Sequence, residues 1–489
     1  MKNVLPYLLL LTILIYPFNF LKSQHVGIEN AGKYDRFLIK NVMLIDGKGT
    51  PMKGPNDVIV EKNKITAITN TKTGKDAYAN EKHFIDGTGM YLLPGLINNH
   101  VHIHERPNCT LEYLYKLWLA CGITTVRDVG SDIELTLADR QKSQMGYLTA
   151  PRILIYMVVR NKDIKGAIAQ IREFKKMGAD GIKIFGMDKE VREAVLAESH
   201  VLGLKVAHHV GVEETDARDD IQYGTSTIEH WYGIPDAALI GSQNFPSWYN
   251  YNNENDRFRW AGSLWKEADP VRLEKILKGM VDHHVAWIPT FAIYEANRDL
   301  QRAQTQPWFN EYLHPTLANY FSPSPQNHGS YHWNWTTTDE KNWKENYKIW
   351  MKAVKDFADM GGLVGAGEDA GFIYMMYGFT YIRELELMHE AGFHPIDVMM
   401  NATGNNAIIL GFEDQIGRIK EGFLADLILV EGNPLENLKY LYPTGITVVE
   451  DGVVKTKGGV KWTIKDGIVY DAVKMLADVK QIVEEAKNK

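Results

Sequence analysis

The sequence predicts an α/β protein: a (β/α)8 barrel with a small β domain built from both ends of the chain. In the middle of the chain, apolar runs alternate with helix-like segments that end in glycine, as at Ala120–Gly122 and Asp359–Gly361. This order is typical of parallel strands that are joined by crossover helices. Near both ends, strand-like runs are instead separated by turns such as Asp46-Gly47 and Asp451-Gly452, which are typical of hairpins.

Eight apolar runs are predicted to be the barrel strands. They are Leu93–His102, Ile123–Val129, Arg152–Val159, Gly181–Phe185, Lys205–Val210, Thr225–His230, Ala286–Phe291 and Leu363–Asp369. A doubly wound open sheet is the alternative, but no GxGxxG motif opens a helix here. The predicted units are therefore the barrel at 93–411, the composite β domain at 25–92 and 412–471, and a charged helical tail at 472–489.

The first 24 residues differ from the rest of the chain. Lys2 precedes an apolar run from Leu5 to Phe20, and a polar segment follows that run, as in a secretory signal peptide. The run contains Pro6 and Pro17 and is shorter than the ~20 residues of a membrane span. We therefore expect an exported protein, periplasmic or secreted, that is cleaved near residue 24. An uncleaved N-terminal anchor is the alternative, and no other membrane association is expected.

The composition is that of an ordinary folded protein. Of the 489 residues, 45% are hydrophobic and 24% are charged, with a net charge of -7, which excludes a disordered chain and a polytopic membrane protein. No block of lysine and arginine stands out, so nucleic acid is not an expected partner. The two cysteines, Cys109 and Cys121, are too few for a disulfide framework and too far apart for a CxxC motif. Two unpaired cysteines are the favoured interpretation.

One stretch departs from the barrel pattern. Ten of the 12 tryptophans lie between Trp231 and Trp350, and residues 307–347 are rich in aromatic residues, Asn, Pro and His. Amphipathic aromatic side chains suit both a lid over the mouth of the barrel and a contact between subunits. Both roles remain open, and with them a homo-oligomer.

Residues that could bind a metal lie at the ends of the predicted strands, where barrel active sites form. His100 and His102 stand at i and i+2 of one strand, so their side chains face the same way. Lys183 lies in an apolar strand with no adjacent carboxylate. A buried lysine needs a partner or a chemical change. An ion pair with a distant acid is one solution; a carbamate formed with carbon dioxide, whose two oxygens could bridge two metal ions, is the other.

Three further strand ends extend the set. Of His208 and His209, which should face opposite sides, one is predicted to be a ligand. His230 ends the sixth strand, and its neighbour Glu229 is expected to face the helices. The eighth strand ends in Asp369 between small residues that let the backbone approach a site closely.

These motifs resemble the amidohydrolase superfamily, in the branch of imidazolonepropionase and the metal-dependent Xaa-Pro and Xaa-Arg dipeptidases. The matching stretches are Leu93–His102, Gly122–Asp128, Gly178–Phe185, Val206–His209, Ile228–His230, Asp369–Gly371, Glu384–Gly392, Ala402–Ala407 and Gly417–Leu429. The resemblance implies a TIM barrel with a β-sandwich made from both chain ends, and two divalent metal ions at the barrel mouth. It also places Glu368, an additional candidate acid, where the family usually has threonine or serine.

The resemblance also implies a role for each ligand. His100, His102 and Asp369 hold the more buried metal. His209, rather than His208, and His230 hold the more exposed one, and a carboxylated Lys183 bridges the two. Zinc is the preferred metal, with manganese, iron and cobalt as alternatives.

The expected reaction is hydrolysis of C–N bonds in small amides, such as dipeptides or N-acyl amino acids, by a metal-bridging hydroxide. Asp369 would transfer the proton to the leaving nitrogen. His104, Tyr294 and Arg383 are candidate substrate-binding residues. The alternatives are lactone or phosphoester hydrolysis, a mononuclear deaminase, against which Lys183 argues, and a non-catalytic binding protein.

Overall fold

The computed structural model describes residues 26–28, 31–71, 81–104, 109–131, 133–209, 215–250, 253–326 and 328–489. The predicted signal segment at 1–24 lies outside these ranges, so export remains a prediction. In the described residues, none of the helices combines the length and the apolar character that crossing a membrane requires.

The described strands fall into three groups along the chain. Seven precede the barrel: β1 Val26–Gly27, β2 Gly32–Lys33, β3 Arg36–Leu44, β4 Lys53–Glu61, β5 Lys64–Asn70, β6 His83–Asp86 and β7 Met90–Pro94. Seven form the barrel: β8 Leu96–Val101, β9 Ile123–Asp128, β10 Arg152–Val158, β11 Gly181–Ile184, β12 Lys205–His208, β13 Thr227–Glu229 and β14 Ala286–Ile288. Five follow it: β15 Leu427–Glu431, β16 Ile446–Glu450, β17 Val453–Lys457, β18 Gly459–Lys465 and β19 Ile468–Asp471.

The described helices connect and cover the barrel strands. They are α1 Leu111–Ala120, α2 Ile133–Gln144, α3 Ile164–Met177, α4 Lys189–Val201, α5 Ala217–Tyr223, α6 Ile234–Ala237, α7 Glu254–Glu267, α8 Pro270–Asp282, α9 Glu295–Arg298, α10 Leu300–Gln304, α11 Phe309–Tyr312, α12 Pro315–Tyr320, α13 Thr337–Asp359, α14 Phe379–Glu390, α15 Pro395–Met400, α16 Asn406–Leu410 and α17 Ala472–Lys487. A π-helical turn, Asn401–Asn405, joins α15 to α16. The predicted C-terminal tail is thus α17, which is tied to α1 by an ion pair of 2.8 Å between Lys116 and Asp478.

The terminal β domain combines strands from both ends of the chain. Ten of the described strands form one mixed sheet, in which β7 pairs with β15 in antiparallel orientation. This sheet encloses its own apolar core, which includes Phe37, Val58, Leu427 and Ile464. The strands β16 and β17 form a separate hairpin. The predicted assembly of one β domain from both termini is therefore confirmed.

The barrel strands β8 to β14 are parallel and neighbours in chain order, which confirms the predicted α/β barrel. The first predicted strand, Leu93–His102, is in fact two strands that are separated at Gly95. A Cβ atom at Gly95 would lie 2.2 Å from Thr124 Oγ1, so only glycine fits where the chain passes from the terminal sheet into the barrel. As a consequence, the terminal sheet extends to Pro94 rather than ending at residue 92.

The eighth predicted strand, Leu363–Asp369, closes the barrel without forming a regular strand. On one side its backbone pairs with Trp287 of β14 through bonds of 2.9 and 3.0 Å. On the other side, Asn99 N donates to Ala366 O at 3.0 Å and Asp369 N donates to His100 O at 2.9 Å. A Cβ atom at Gly367 would lie 2.7 Å from His100 Cβ. This close approach explains why the segment is rich in glycine and departs from strand geometry.

The cysteines Cys109 and Cys121 are both buried and are not joined in a disulfide bond, as expected from the sequence.

Candidate metal centre and substrate cavity

One cavity of about 580 Å³ lies at the carboxyl ends of the barrel strands. All six predicted metal ligands line it: His100, His102, Lys183, His209, His230 and Asp369. They lie in β8 and β11, directly after β8, β12 and β13, and in the closing segment. Because parallel strands end at the same face of a barrel, residues far apart in the sequence meet there.

The tightest group of donors consists of His100, His102 and Asp369. One donor atom from each lies within 4.8 Å of the others. Asp369 Oδ1 is 3.3 Å from His102 Nε2 and 3.7 Å from His100 Nε2. Asp369 has a left-handed backbone with φ 54°. This spacing of imidazole nitrogens around a carboxylate oxygen suits a divalent ion with nitrogen and oxygen ligands.

His230 approaches the same carboxylate from the opposite side. Its Nε2 is 3.6 Å from Asp369 Oδ2, while its Nδ1 is 2.5 Å from Thr290 Oγ1. The Thr290 hydroxyl donates to Pro289 O at 2.7 Å, so it accepts from Nδ1–H of His230. This arrangement leaves the lone pair on Nε2, the nitrogen that faces Asp369.

The prediction that Glu229 faces the helices is wrong. His230 has φ 62°, a left-handed conformation that ends the alternation of side chains along β13. Glu229 shares the inward face of β13 with Thr227, and one of its carboxylate oxygens lies 2.5 Å from His100 Nδ1. Arg127, from β9, donates to both oxygens of Glu229 at 2.7 and 2.8 Å. Burial alone would raise the pKa of Glu229, but Arg127 and Lys183 outweigh it and hold that pKa below its usual value.

Lys183 lines the cavity and is 1% exposed. Within the described residues, its Nζ has no hydrogen-bond partner. Burial lowers the pKa of Lys183 to about 8, so the neutral amine is accessible near neutral pH. Burying an amine without a hydrogen-bond partner is unfavourable in free energy. A bound group that pairs with this side chain would remove that cost.

His208 and His209 face opposite sides of β12. His208 is fully buried on the helix side, where its Nδ1 is 2.8 Å from Asp220 Oδ1. His209 lines the cavity, and its ring lies 4.7 Å from that of His230, centroid to centroid. Burial holds the pKa values of His209, His230 and His100 well below the usual histidine value. These three imidazoles are therefore neutral, as metal ligation requires.

Glu368 points away from the cavity, although it precedes Asp369. Its two oxygens accept from Trp118 Nε1 at 2.5 Å and from Gly378 N, at the start of α14, at 2.9 Å. Burial raises the pKa of Glu368 to about 8. The expectation of an additional acid at the site is therefore not met, since Glu368 connects the closing segment to α1 and α14.

The three candidate substrate residues have different positions. His104 and Tyr294 line the cavity. Arg383 does not; its guanidinium donates to Glu295 at 2.6 Å and to Glu386 at 2.8 Å. The structure therefore places Arg383 in a charged cluster away from the cavity.

The pattern of strands in the sequence did not predict which residues form the outer wall of the cavity. It is largely aromatic and includes Phe258 and Trp260 of α7, together with Tyr331 from the aromatic segment 307–347. Arg257 and His328 also line it. The position of the segment over the cavity favours the lid interpretation. The concentration of tryptophans in the sequence was the one signal of this wall.

Comparisons with known proteins agree with this architecture. Residues 348–467 match the model of the amidohydrolase family. A dihydroorotase of Thermus aquaticus is 35% identical over 83 residues, so the match spans 17% of this chain and 17% of that relative.

Several solved structures share the fold. A Xaa-Pro dipeptidase with bound methionine is 20% identical with a TM-score of 0.61, over 89% of this chain and 100% of that one. A bottromycin amidohydrolase is 15% identical with a TM-score of 0.66, over 93% of this chain and 91% of that one. The ochratoxinase of A. niger is 15% identical with a TM-score of 0.61, over 90% and 96% of the two chains.

The fold and the cavity together define a barrel protein with a histidine- and aspartate-lined candidate metal centre at the carboxyl ends of its strands. The part of the chain at residues 348–467 resembles the amidohydrolase family, and the fold of the chain is that of the Xaa-Pro dipeptidase and the bottromycin amidohydrolase.

Proposed function

We propose that the protein is a metal-dependent hydrolase of C–N bonds in small amides, such as dipeptides or N-acyl amino acids. The observation that carries this proposal is the convergence on one cavity of four imidazoles, Asp369 and a buried lysine that has no hydrogen-bond partner in the described part of the chain. The alternative of a non-catalytic binding protein gives no reason for this donor set. A bottromycin amidohydrolase and a Xaa-Pro dipeptidase share the fold, which supports the choice of an amide bond.

Two divalent ions fit the donors, and zinc is the metal that we propose. His100, His102 and Asp369 would hold one ion, and His209 and His230 the other. Lys183 would bridge them as a carbamate, formed when its neutral amine attacks carbon dioxide and loses a proton. Bound ions would supply hydroxide near neutral pH and polarise the substrate carbonyl.

Asp369 would carry the proton. In the structure, burial raises its pKa to about 8. In the reaction it would take the proton of the nucleophile and deliver it to the leaving nitrogen, because an amine anion is a very poor leaving group. The aromatic wall would exclude water from the amide while this transfer occurs.

The lining also indicates the kind of substrate. Among the described residues that line the cavity, Asp369 is the only carboxylate, whereas Arg257 contributes a cation to the wall. Phe258 and Trp260, on the same helix, offer aromatic faces. We therefore propose an amide that carries a carboxylate and an apolar or aromatic group. Action outside the cytoplasm, in the periplasm or medium, is part of the proposal and rests on the segment 1–24 alone.

The deciding experiment combines metal analysis with a substrate screen. The purified protein should contain up to two divalent ions per chain and hydrolyse N-acyl amino acids or dipeptides faster than lactones or phosphoesters. A matched series of N-acyl phenylalanine, its C-terminal amide and N-acyl lysine tests the charge argument. The Arg257→Gln variant should raise KM for the free acid but not for the amide. Metal-loaded protein that cleaves only lactones or phosphoesters, or that only deaminates, would refute the assignment to amide hydrolysis.

Lys183 provides the second test. The Lys183→Ala variant should lose metal and activity, and short carboxylic acids added with metal should restore part of both. Unchanged turnover and metal content in Lys183→Ala would contradict the binuclear centre.

A further inference from the structure

We infer that Glu229 is a positioning residue of the metal centre, which it serves by fixing the tautomer and the orientation of His100. The inference rests on the proposed function, because it assumes that His100 binds a metal. The sequence pattern placed Glu229 on the helix side of the barrel. In the structure Glu229 lies on the inward face of β13 with Thr227, and the left-handed backbone at His230 brings that imidazole to the cavity as well.

The contact with His100 determines which nitrogen is available. The Glu229 carboxylate can only accept hydrogen bonds, so at 2.5 Å His100 Nδ1 must be the donor. The lone pair of His100 is then on Nε2, the nitrogen that faces Asp369 at 3.7 Å. Without an acceptor at Nδ1, the ring could adopt the other tautomer or rotate, and either change would remove the ligand. A carboxylate behind a metal-binding imidazole commonly has this function.

Glu229 is itself held in place by several donors. Arg127 donates to both of its oxygens, and the Thr227 hydroxyl donates to Oε1 at 2.5 Å. Arg127 is fixed in turn by donating through Nε to Asn99 O at 2.5 Å, next to His100 in β8. The side chains of Arg127, Glu229 and His100 are each at most 1% exposed. This network therefore connects three barrel strands rigidly to one candidate ligand.

The chain contains a matched group that faces the other way. On the helix side of β12, Arg192 contacts Asp220, and Asp220 accepts from His208 Nδ1 at 2.8 Å. These three side chains are also fully buried. They repeat the arginine–carboxylate–histidine arrangement outside the cavity. Disrupting the group at His208 therefore shows how much a purely structural role of this arrangement affects metal affinity. Any larger loss of affinity on disrupting the group at His100 reports a role in metal binding.

The first variant is Glu229→Gln, with Asp220→Asn as its control. In Glu229→Gln, Arg127 competes for the one remaining oxygen, so the amide NH2 turns towards His100 Nδ1 and favours the wrong tautomer. Metal affinity, measured by chelator competition, should fall about 10–100-fold. The absorption spectrum of the cobalt-loaded protein should also change. In Asp220→Asn the melting temperature should fall while metal affinity stays within about threefold of wild type.

Two charge-neutral double variants keep the test valid if Glu229→Gln fails to fold. Arg127→Met with Glu229→Gln frees the amide oxygen to accept from His100, so metal affinity should lie within about tenfold of wild type. Arg127→Met with Glu229→Leu has no acceptor and should bind about 10–100-fold more weakly than wild type. Equal affinities in these two double variants, or an equal loss of affinity in Asp220→Asn, would overturn the inference. Wild-type protein that binds no divalent metal would instead overturn the proposed function.

Discussion

Replacing Lys183 by methionine should stabilise the metal-free protein while it abolishes the metal centre. Methionine is close to lysine in length and shape but carries no charge. Because Lys183 is buried without a hydrogen-bond partner among the described residues, the substitution removes an unfavourable charge and leaves no large void.

The magnitude follows from the pKa shift. Burial lowers the pKa of Lys183 from 10.5 to about 8, and 1.36 kcal/mol per pKa unit converts this shift to a destabilisation of about 3 kcal/mol. The destabilisation is complete below pH 8, where the amine is charged in both the folded and the unfolded state. It declines between pH 8 and pH 10.5, because the folded protein then carries the neutral amine. The stability gained in Lys183→Met should therefore be largest near pH 7 and only about 1 kcal/mol at pH 9.5.

Urea unfolding of chelator-treated wild type and Lys183→Met at pH 7 and pH 9.5 measures this difference, and metal analysis of the untreated samples measures the second effect. We expect a higher unfolding midpoint at pH 7, a smaller gain at pH 9.5, and loss of bound metal. A variant that is less stable than wild type at pH 7 and keeps its metal would show that Lys183 is an ordinary structural partner. That result would refute both the pKa argument and the bridging role.

Three further substitutions separate catalysis, metal binding and folding. Asp369→Asn keeps the volume and one oxygen ligand but removes the base, so kcat should fall by roughly 10²–10⁴ while much of the metal is retained. Kinetics and metal content are measured on one sample, and an unchanged kcat would show that another residue carries the proton. His209→Asn should weaken metal binding far more than His208→Asn, which should instead lower the melting temperature because His208 contacts buried Asp220; the reverse order would contradict the orientation of β12. Glu368→Gln should lower the free energy of unfolding by ~1–3 kcal/mol and leave KM unchanged, because the amide nitrogen cannot accept a hydrogen bond and either Trp118 or Gly378 then loses its acceptor; a change in KM for one class of substrate would show that Glu368 reaches the cavity.

The sequence alone determined the barrel and most of the candidate ligands. Apolar runs preceded by helix–glycine segments identify parallel strands, because burial on both faces demands apolar residues. The polar residues that interrupt these runs, such as His100, His102 and Lys183, then mark the strand ends. The two-residue alternation of strands predicted that His208 and His209 face opposite sides, and the family motif indicated which of the two faces the cavity.

Only the tertiary structure decided the details in which local rules fail. Left-handed backbone at His230 lets both Glu229 and His230 face the barrel interior, and the alternation of a regular strand cannot predict that arrangement. The close approach of Gly367 to His100 makes the eighth segment irregular, which depends on two segments far apart in the sequence. The cavity wall is likewise a product of packing between α7 and the aromatic segment, since no local period places Phe258 beside Tyr331. Position along one strand is a local property, whereas the conformation that ends a strand and the contacts across a cavity depend on the whole fold.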